Sequence, residues 1–510
     1  MKYLLNNLRF PVDAHYDLCS EIRRKTGLPS DAFVLDRVLR LAVDTRRRGH
    51  PIYDASVILE IGSLPATIGD LSPYVGTKQT AVPSIKLPDP HPVIIGMGPA
   101  GLFCALAMVE NGLRPRLYDR GEPIDTRARK VDEYWNGGDV DADSNVQFGE
   151  GGAGAFSDGK LTSRGRSAES AKVFDLMIRF GAPEEISYQA LPHLGTDGVR
   201  NMVCGIRDYL KERGCSFHYQ SRFEDLRIES GQVKAMKVNG EWSDAHTIVL
   251  ATGNASRDTF RQLNTRGVHL EPKPFAIGFR IEQRQEDINL AIYGTGNWER
   301  ILGPASYRLV DRASGCYTFC MCPGGYVIAA ASEPATMVTN GMSFSSRDND
   351  LCNSAIVCPL DLATYGADLF SGMEFQADLE RRAFKQGGLA PSMDAEMFLK
   401  GMSALRTDLP SFRPGVYSGD FSTLFPASVA GKLKSALHKF EAIIKGFYRG
   451  AVLIAPETRT SSPLRVVREP NSLAAINVKG LYPAGEGSGY AGGIISSAVD
   501  GWKVGSGFKT

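Results

Sequence analysis

The segment Gly96-Met97-Gly98-Pro99-Ala100-Gly101 carries three glycines at the spacing G-x-G-x-x-G. Such a loop serves chemistry by binding. The first glycine permits a tight turn, the second lets the backbone approach a phosphate, and the third lets helix and strand pack closely. A helix that starts there offers free N–H groups and a positive dipole end to an anion. Glycine loops are common, so the flanking residues decide the reading. Pro92-Val93-Ile94-Ile95 reads as a short buried strand before the loop, and Leu102 to Asn111 as the helix after it, closed by Gly112. A second strand, Arg114 to Tyr118, ends at Asp119, whose carboxylate can accept both hydroxyls of a ribose, with Arg120 beside it. That context makes the loop a dinucleotide site.

Two distant stretches extend it. Ala251-Thr252-Gly253 closes a strand where the chain would pass the dinucleotide, and Tyr482-Pro483-Ala484-Gly485-Glu486 supplies an acid suited to a ribityl chain. Gly492-Gly493-Ile494 then opens the last helix, whose N-terminus can stabilise the negative charge of a reduced flavin. Gly152 and Phe223 complete the expected cofactor wall. A simple NAD dehydrogenase needs none of these distant pieces, so the cofactor reading is FAD.

Flavin would supply the redox step and the protein would position the substrate. Lys160, in the loop 147–161, is the charged candidate beside the reacting ring; the alternative is a solvated loop lysine. Ser157 and Asp158 read as the turn before Gly159. His193, between Pro192 and Gly195, is a candidate proton donor, or else a loop histidine bonded to backbone. Glu457 and Arg459 precede the C-terminal glycine run and would face the substrate, with Arg459 able to clamp a carboxylate. Their competing reading is a salt bridge to each other, and Arg280 is a further candidate of the same kind. Cys320 and Cys322 form a CxC pair, read as structural buried cysteines because one intervening residue makes a disulfide awkward. No His or Cys set near them would hold zinc, and no metal is expected.

These residues require elements to position them. The expected fold class is α/β: a Rossmann-type FAD-binding domain assembled from separate segments, an α+β cap or substrate domain, and a small N-terminal α+β domain. Residues 1–88 form that small unit, with a strand at Tyr3–Phe10, a helix near 14–25 and a strand at 55–61. Ser30 is read as the N-cap of a second helix carrying Val34, Val38 and Leu41 on one face and ending at Arg46-Arg47-Arg48-Gly49. The arginines suit a helix C-terminus, the alternative being a grip on an anion. The alternation points to a ferredoxin-like fold, with 62–90 as a linker. Residues 89–275 make the first part of the FAD domain, with 166–195 expected to pack with the cap. Within it, Cys215 to Gly253 reads as a three-stranded meander turning at Gly231 and Gly240. Residues 276–450 make the cap, and 451–510 return to the FAD domain.

With these motifs the chain resembles the uncharacterised bacterial FAD-dependent dehydrogenases, NAD(P)/FAD-dependent oxidoreductases of the glutathione reductase-type fold, in a long form with an extra N-terminal domain. The resemblance rests on Gln147 to Leu161, Pro192 to Asp197, Phe319 to Gly325, Glu457 to Pro463 and Gly485 to Gly493. It implies FAD and a redox role. One departure is Gln283, after Arg280-Ile281-Glu282, where a histidine is usual.

Composition bounds the rest. The chain has 510 residues, 43% apolar and 23% charged, with a net charge of +1, which gives no electrostatic footprint for nucleic acid. No run of about 18 apolar residues is present, so no membrane span is expected. The start lacks the apolar core of a signal peptide. Nine cysteines without a CxxC spacing argue against a disulfide framework, giving a reduced, cytoplasmic protein. The functional expectation is hydride transfer between flavin N5 and a small organic substrate. The alternatives are a flavin monooxygenase and a non-catalytic flavoprotein that binds a partner through residues 1–88. Gly485-Glu486-Gly487-Ser488-Gly489 lacks the Gly-Asp-Ala-Ala-His run of aromatic hydroxylases. No second complete glycine fingerprint exists, so NAD(P)H would bind only transiently as electron donor, or a redox protein or the substrate would reduce the flavin.

Overall fold

The computed structural model describes residues 1–13, 15–62, 69–76, 85–87, 89, 91–161, 167–402, 404 and 410–509. Short apolar runs become a parallel sheet. Val93–Ile95 pairs with Ile248–Leu250 on one side and Arg116–Tyr118 on the other, with Leu481–Pro483 and Ser216–His218 at the two edges. Parallel strands covered on both faces read as unbroken apolar stretches, as Val93-Ile94-Ile95 and Ile248-Val249-Leu250 do. The edge strand at 481–483 comes from the far end of the chain.

Helix Pro99–Glu110 follows the glycine loop with proline at its first position, where a missing N–H costs nothing. It is buried from Ala100 to Met108, so it is a core helix. The C-terminal helix Ile494–Ser506 lies against it. A Cβ at Gly501 would sit 1.9 Å from the Ala100 carbonyl oxygen, and one at Gly505 2.3 Å from that of Cys104. Helix Ala168–Arg179, started by the Ser167–Ser170 capping box, packs on the C-terminal helix. Its Val173, Leu176 and Met177 share one apolar cluster with Ile94 and Leu106. Helix Ala168–Arg179 therefore packs with the helices of the parallel sheet, whereas Gly195, at the end of the segment 166–195 expected to pack with the cap, meets the backbone of Phe344 and Ser345 in the middle of the chain. The meander turns at Gly231 and Gly240 as read, through Phe223–Glu229, Gln232–Val238 and Glu241–Asp244.

The middle of the chain builds a six-stranded sheet. Its order is Tyr317–Cys322, Leu351–Leu360, Phe275–Arg284, Val452–Glu457, Ala390–Asp394 and Val416–Ser418. Phe275–Arg284 is buried at every position but the last. Phe279 packs against Phe398, Phe421 and Phe425, and helix Ala427–Ile443 adds Leu433, Leu437 and Phe440 to the same core. Because Val452–Glu457 pairs with Phe275–Arg284, this unit runs past the boundary read at 450.

The N-terminal sheet is antiparallel, in the order Phe33–Asp44, Ile52–Ile61, Lys2–Pro11 and Leu71–Pro73, with helix Leu18–Thr26 capped by Asp17. The second helix read from Ser30 is instead the strand Phe33–Asp44. Register shifts at Leu35/Arg37 and Val38/Arg40 break its alternation and leave apolar residues at helix-like spacing. Arg46 caps no helix; it pairs with Asp44. Leu41 exchanges backbone hydrogen bonds with Tyr188 and Ala190, joining this sheet to the main body. Most of the linker read at 62–90 lies outside the described residues. Among the described residues no helix is long and apolar enough to cross a membrane.

The contact between the two glycine-bearing helices is testable. Gly501→Ala puts a methyl group against backbone that cannot yield, so the helices must separate at ~3 kcal/mol. Thermal denaturation should show a clear fall in Tm, and an unchanged Tm would refute the close approach.

Candidate functional site

Gly96 has φ +103°, and a Cβ there would meet the Ala251 carbonyl oxygen at 2.2 Å. Gly101 has its own constraint, 1.9 Å to the Gly96 oxygen. Gly487 is as tight, 2.3 Å from the Gly253 oxygen. Three remote segments thus meet backbone to backbone. Asp119 accepts hydrogen bonds from Met97 N at 2.8 Å and Gly121 N at 2.9 Å, which fixes the loop against the second strand. The following loop is pinned by Arg127, which donates to the carbonyls of Asn145, Val146, Glu150 and Gly152 from a fully buried position. This brings Gly152 to face Gly98.

These segments line one cavity of about 400 Å³. Gly96, Gly98, Pro99, Ala100, Asp119, Arg120, Gly152, Phe223, Ala251, Thr252, Gly253, Gly485, Glu486, Gly492, Gly493 and Ile494 all contribute to its wall. Gly101 does not, since it serves the helix–strand packing. Arg120 stacks on Phe148 at 4.3 Å and pairs with Asp258 at 2.9 Å. Asn254 donates to Glu486 at 2.7 Å; burial pushes the Glu486 carboxyl up to about 7, against Lys273 and Asn254.

The opposite wall comes from the six-stranded sheet and the strands beside it, including Phe319, Cys320, Thr339, Asn340 and Glu457. Glu457 and Arg459 both reach the cavity but do not pair with each other. Arg280 grips Glu457 with two hydrogen bonds of 2.9 and 3.2 Å, and also donates to Asn340, Asn353 and the Cys320 carbonyl. Arg459 is held by Glu380, which also takes Arg257. Burial raises the Glu380 carboxyl, but the two guanidinium groups outweigh it and hold it at about 2. Arg459 is thereby committed to an internal carboxylate, not free to clamp a substrate.

Lys160 lines the cavity with its Nζ buried and without a hydrogen-bond partner, 3.8 Å from Asp158. Asp158 is no mere turn residue: fully buried, it is bound by Arg347 at 2.7 Å and by Ser343. His193 bridges Lys160 through the backbone and does not line the cavity. Burial, then the Arg347 charge, pulls its imidazole down to about 4, so it is neutral near pH 7 and lies outside the place a proton donor would occupy. Gln283 is buried between Phe447 O and the Tyr307 hydroxyl, a purely internal position. Sequence reasoning missed Thr259, Thr339 and Asn254, which carry no motif. Cys320 was visible as half of a CxC pair, yet it faces the cavity.

The donor set suits a dinucleotide. Among the described residues, the buried Thr259 Oγ1, Thr339 Oγ1 and Lys160 Nζ have no hydrogen-bond partner, and all three residues line the cavity. A Cβ at Gly253, Gly492 or Gly493 would meet nothing within 4 Å, so the chain leaves open space there, while the Gly492 N–H is already donated to Ser496 Oγ at 3.0 Å. Among the described residues no cluster of His, Cys, Asp or Glu could hold a metal ion.

The central ion pair yields an expectation. Arg280→Met leaves Glu457 buried without a counter-ion and should cost about 3–5 kcal/mol, read as a lowered midpoint in urea denaturation. A midpoint equal to that of the unaltered protein would show the pair to be dispensable.

Residues 274–460 match the family model described as "FAD-dependent protein, C-terminal domain-like". An uncharacterised protein of Clostridium beijerinckii is 43% identical over 425 residues, 81% of this chain and 80% of that protein. Solved structures show weaker likeness. A flavocytochrome c3 fumarate reductase in an open conformation aligns at 14% identity and TM-score 0.37, over 83% of this chain and 78% of that one. CtdE in complex with FAD aligns at 10% and 0.31, over 82% of each chain. FAD is the cofactor, and the protein belongs to the same family as the clostridial protein, one marked by the FAD-dependent C-terminal domain.

Proposed function

We propose that the protein is an oxidoreductase that moves a hydride between flavin N5 and a small organic substrate. The observation that carries this reading is the two-sided cavity. One wall is the glycine-rich backbone of three remote segments, and the other is the six-stranded sheet with Lys160, Thr339 and Glu457. On this reading the parallel sheet is a Rossmann-type FAD-binding domain assembled from separate segments. The six-stranded unit is its cap or substrate domain, and residues 1–88 are a ferredoxin-like addition.

When bound, FAD supplies the two-electron chemistry at N5. The chain's own residues do the rest. Gly96, Gly98 and the N-terminus of helix Pro99–Glu110 hold the pyrophosphate, Asp119 the ribose, and Glu486 the ribityl hydroxyls. Gly492, Gly493 and the start of helix Ile494–Ser506 offset negative charge on the reduced ring. Lys160 orients an anionic group of the substrate, because among the described residues its Nζ has no hydrogen-bond partner. The Arg280–Glu457 pair keeps the sheet wall fixed. Electrons enter from NAD(P)H bound transiently over the cavity, or from a redox protein docked at residues 1–88.

Anaerobic mixing of the yellow protein with NADH, NADPH and a metabolite panel tests this. Bleaching of the flavin absorbance by a small organic substrate is the expected result. A flavin that no organic compound reduces or reoxidises would overturn the proposal; when O₂ is then admitted to the reduced protein, reoxidation with oxygen insertion would select the monooxygenase.

The Glu486 carboxyl, pushed up to about 7 by burial, accepts hydroxyl donors best when ionised. FAD binding then favours its deprotonation. The FAD Kd should fall by up to tenfold per pH unit as pH rises toward 7 and flatten above it. Glu486→Gln should remove the slope, measured by flavin fluorescence titration; a pH-independent Kd in the unaltered protein would contradict that role.

A further inference from the structure

We infer that the N-terminal sheet frames the entrance of the FAD cavity, holding Leu191 and Arg308 at the rim that an anionic substrate passes. The inference rests on the FAD reading above and adds the route of entry to it.

Most of the cavity lining is buried or half-buried. Among the described lining residues Leu191, Arg308, Gly492 and Gly493 are exposed, so the cavity opens to solvent beside them. The two glycines lead into the C-terminal helix. The two side chains come from remote loops, and each loop is tied to the N-terminal sheet.

The Leu191 loop is tied by main chain. Leu41 N–H donates to the Tyr188 carbonyl at 2.7 Å, and Ala190 N–H donates to the Leu41 carbonyl at 2.9 Å. Facing residues of an antiparallel ladder exchange both backbone bonds or neither, so Leu41 turns both groups away from Ala55, its partner across the sheet. Phe33–Asp44 is an edge strand, and its open side is what catches residues 188–190. Leu191 follows at once. The Pro192 carbonyl then takes the Leu161 N–H at 2.9 Å, and His193 bridges Lys160, so the same loop adjoins the cavity lysine.

The Arg308 loop is tied at a second seam. Gly49 N–H donates to the Tyr293 carbonyl at 2.7 Å, and a Cβ at Gly294 would lie 2.7 Å from Gly49 N. Trp298 and Leu302 pack on the apolar core of the N-terminal sheet and also on the cluster of Ile288, Tyr293, Ala305 and Met321. Ala305 is fully buried there, with its N–H on Asn289 and its carbonyl on Gln285. Ser306, Tyr307 and Arg308 run on from it along the lining. The rim therefore presents one apolar side chain and one cation, with Lys160 further along the lining. At physiological salt a charge acts over about 8 Å, which suffices for a molecule already at the rim.

The test compares two small reductants of opposite charge on the FAD-loaded protein, the sulfur dioxide radical anion of dithionite and the methyl viologen radical cation. Reduction rates are read by stopped flow at about 10 mM and about 1 M salt. Arg308→Glu should lower the anion-to-cation rate ratio about tenfold at low salt and leave it unchanged at high salt. Leu41→Pro removes one seam bond from an edge strand, where proline is tolerated, and Gly294→Ala pushes on Gly49. Both should lower the ratio severalfold, whereas lost stability alone would move the two rates together. An unchanged ratio in Arg308→Glu overturns the entrance, and an unchanged ratio in both seam variants overturns the framing; the FAD reading stands in either case. If Leu41→Pro does not fold, Gly294→Ala decides. Unaltered protein that binds no FAD overturns both readings.

Discussion

Backbone meeting backbone, with no room for a side chain between, is the constraint on which the rest depends. Gly101 over the Gly96 carbonyl, Gly487 over that of Gly253, and Gly501 over that of Ala100 bring four stretches of chain within contact distance. At such separations the cofactor wall is made of peptide groups. Their N–H donors and aligned helix dipoles are fixed before any ligand arrives, so little ordering remains for binding to offset. The same contacts explain why a parallel sheet of short strands suffices. Val93–Ile95, Ile248–Leu250 and Leu481–Pro483 need only three residues each to deliver Gly96, Gly253 and Gly485 to one cavity.

The facing wall obeys a different rule. Its strength lies in buried guanidinium groups whose hydrogen bonds are nearly all made. Arg280 spends its donors on a carboxylate, two amides and a carbonyl, and Arg257 and Arg459 share Glu380. Removing a charge from water is costly, and such sites persist only where partners are complete. Completeness also fixes geometry: a fork with four acceptors has one orientation. The sheet wall therefore holds Glu457, Cys320 and Asn340 in place against a cofactor wall that is itself rigid.

What was legible in the sequence follows from how local each feature is. The glycine fingerprint, the strand ending at Asp119, the meander turning at Gly231 and Gly240, and the C-terminal helix start could be read because each is decided within a few residues. The pairing of charges could not. Arg280 finds Glu457 177 residues away, and Arg459 finds Glu380 rather than the glutamate two positions before it. In a regular strand, side chains at 457 and 459 would share a face; the strand instead ends at Glu457 and the chain turns. Phe33–Asp44 misled for the opposite reason, its bulges mimicking a helical period until the strand at 52–61 supplied the ladder. The middle sheet had no signature at all, since its order is set by non-local pairing.

Charge balance around the cavity narrows what it can receive. Arg280 faces Glu457 one to one, whereas Arg459 shares Glu380 with Arg257, which also pairs with Glu333, and Arg120 shares Asp258 with Arg222. Arg308 reaches the lining but is exposed to solvent, where its charge is screened. Lys160 differs. Its nearest carboxylate, Asp158, is 3.8 Å away and already bound by Arg347, so the Lys160 charge is only partly offset. A buried ammonium in that condition raises the affinity for an anion more than an exposed one would, because the intervening medium is less polar than water. The helix N-termini attend to the dinucleotide at the glycine wall. Among the described lining residues, Lys160 is the buried cation whose charge is least offset. On the proposed reading, a substrate with a single anionic group beside Lys160 meets that partly offset charge.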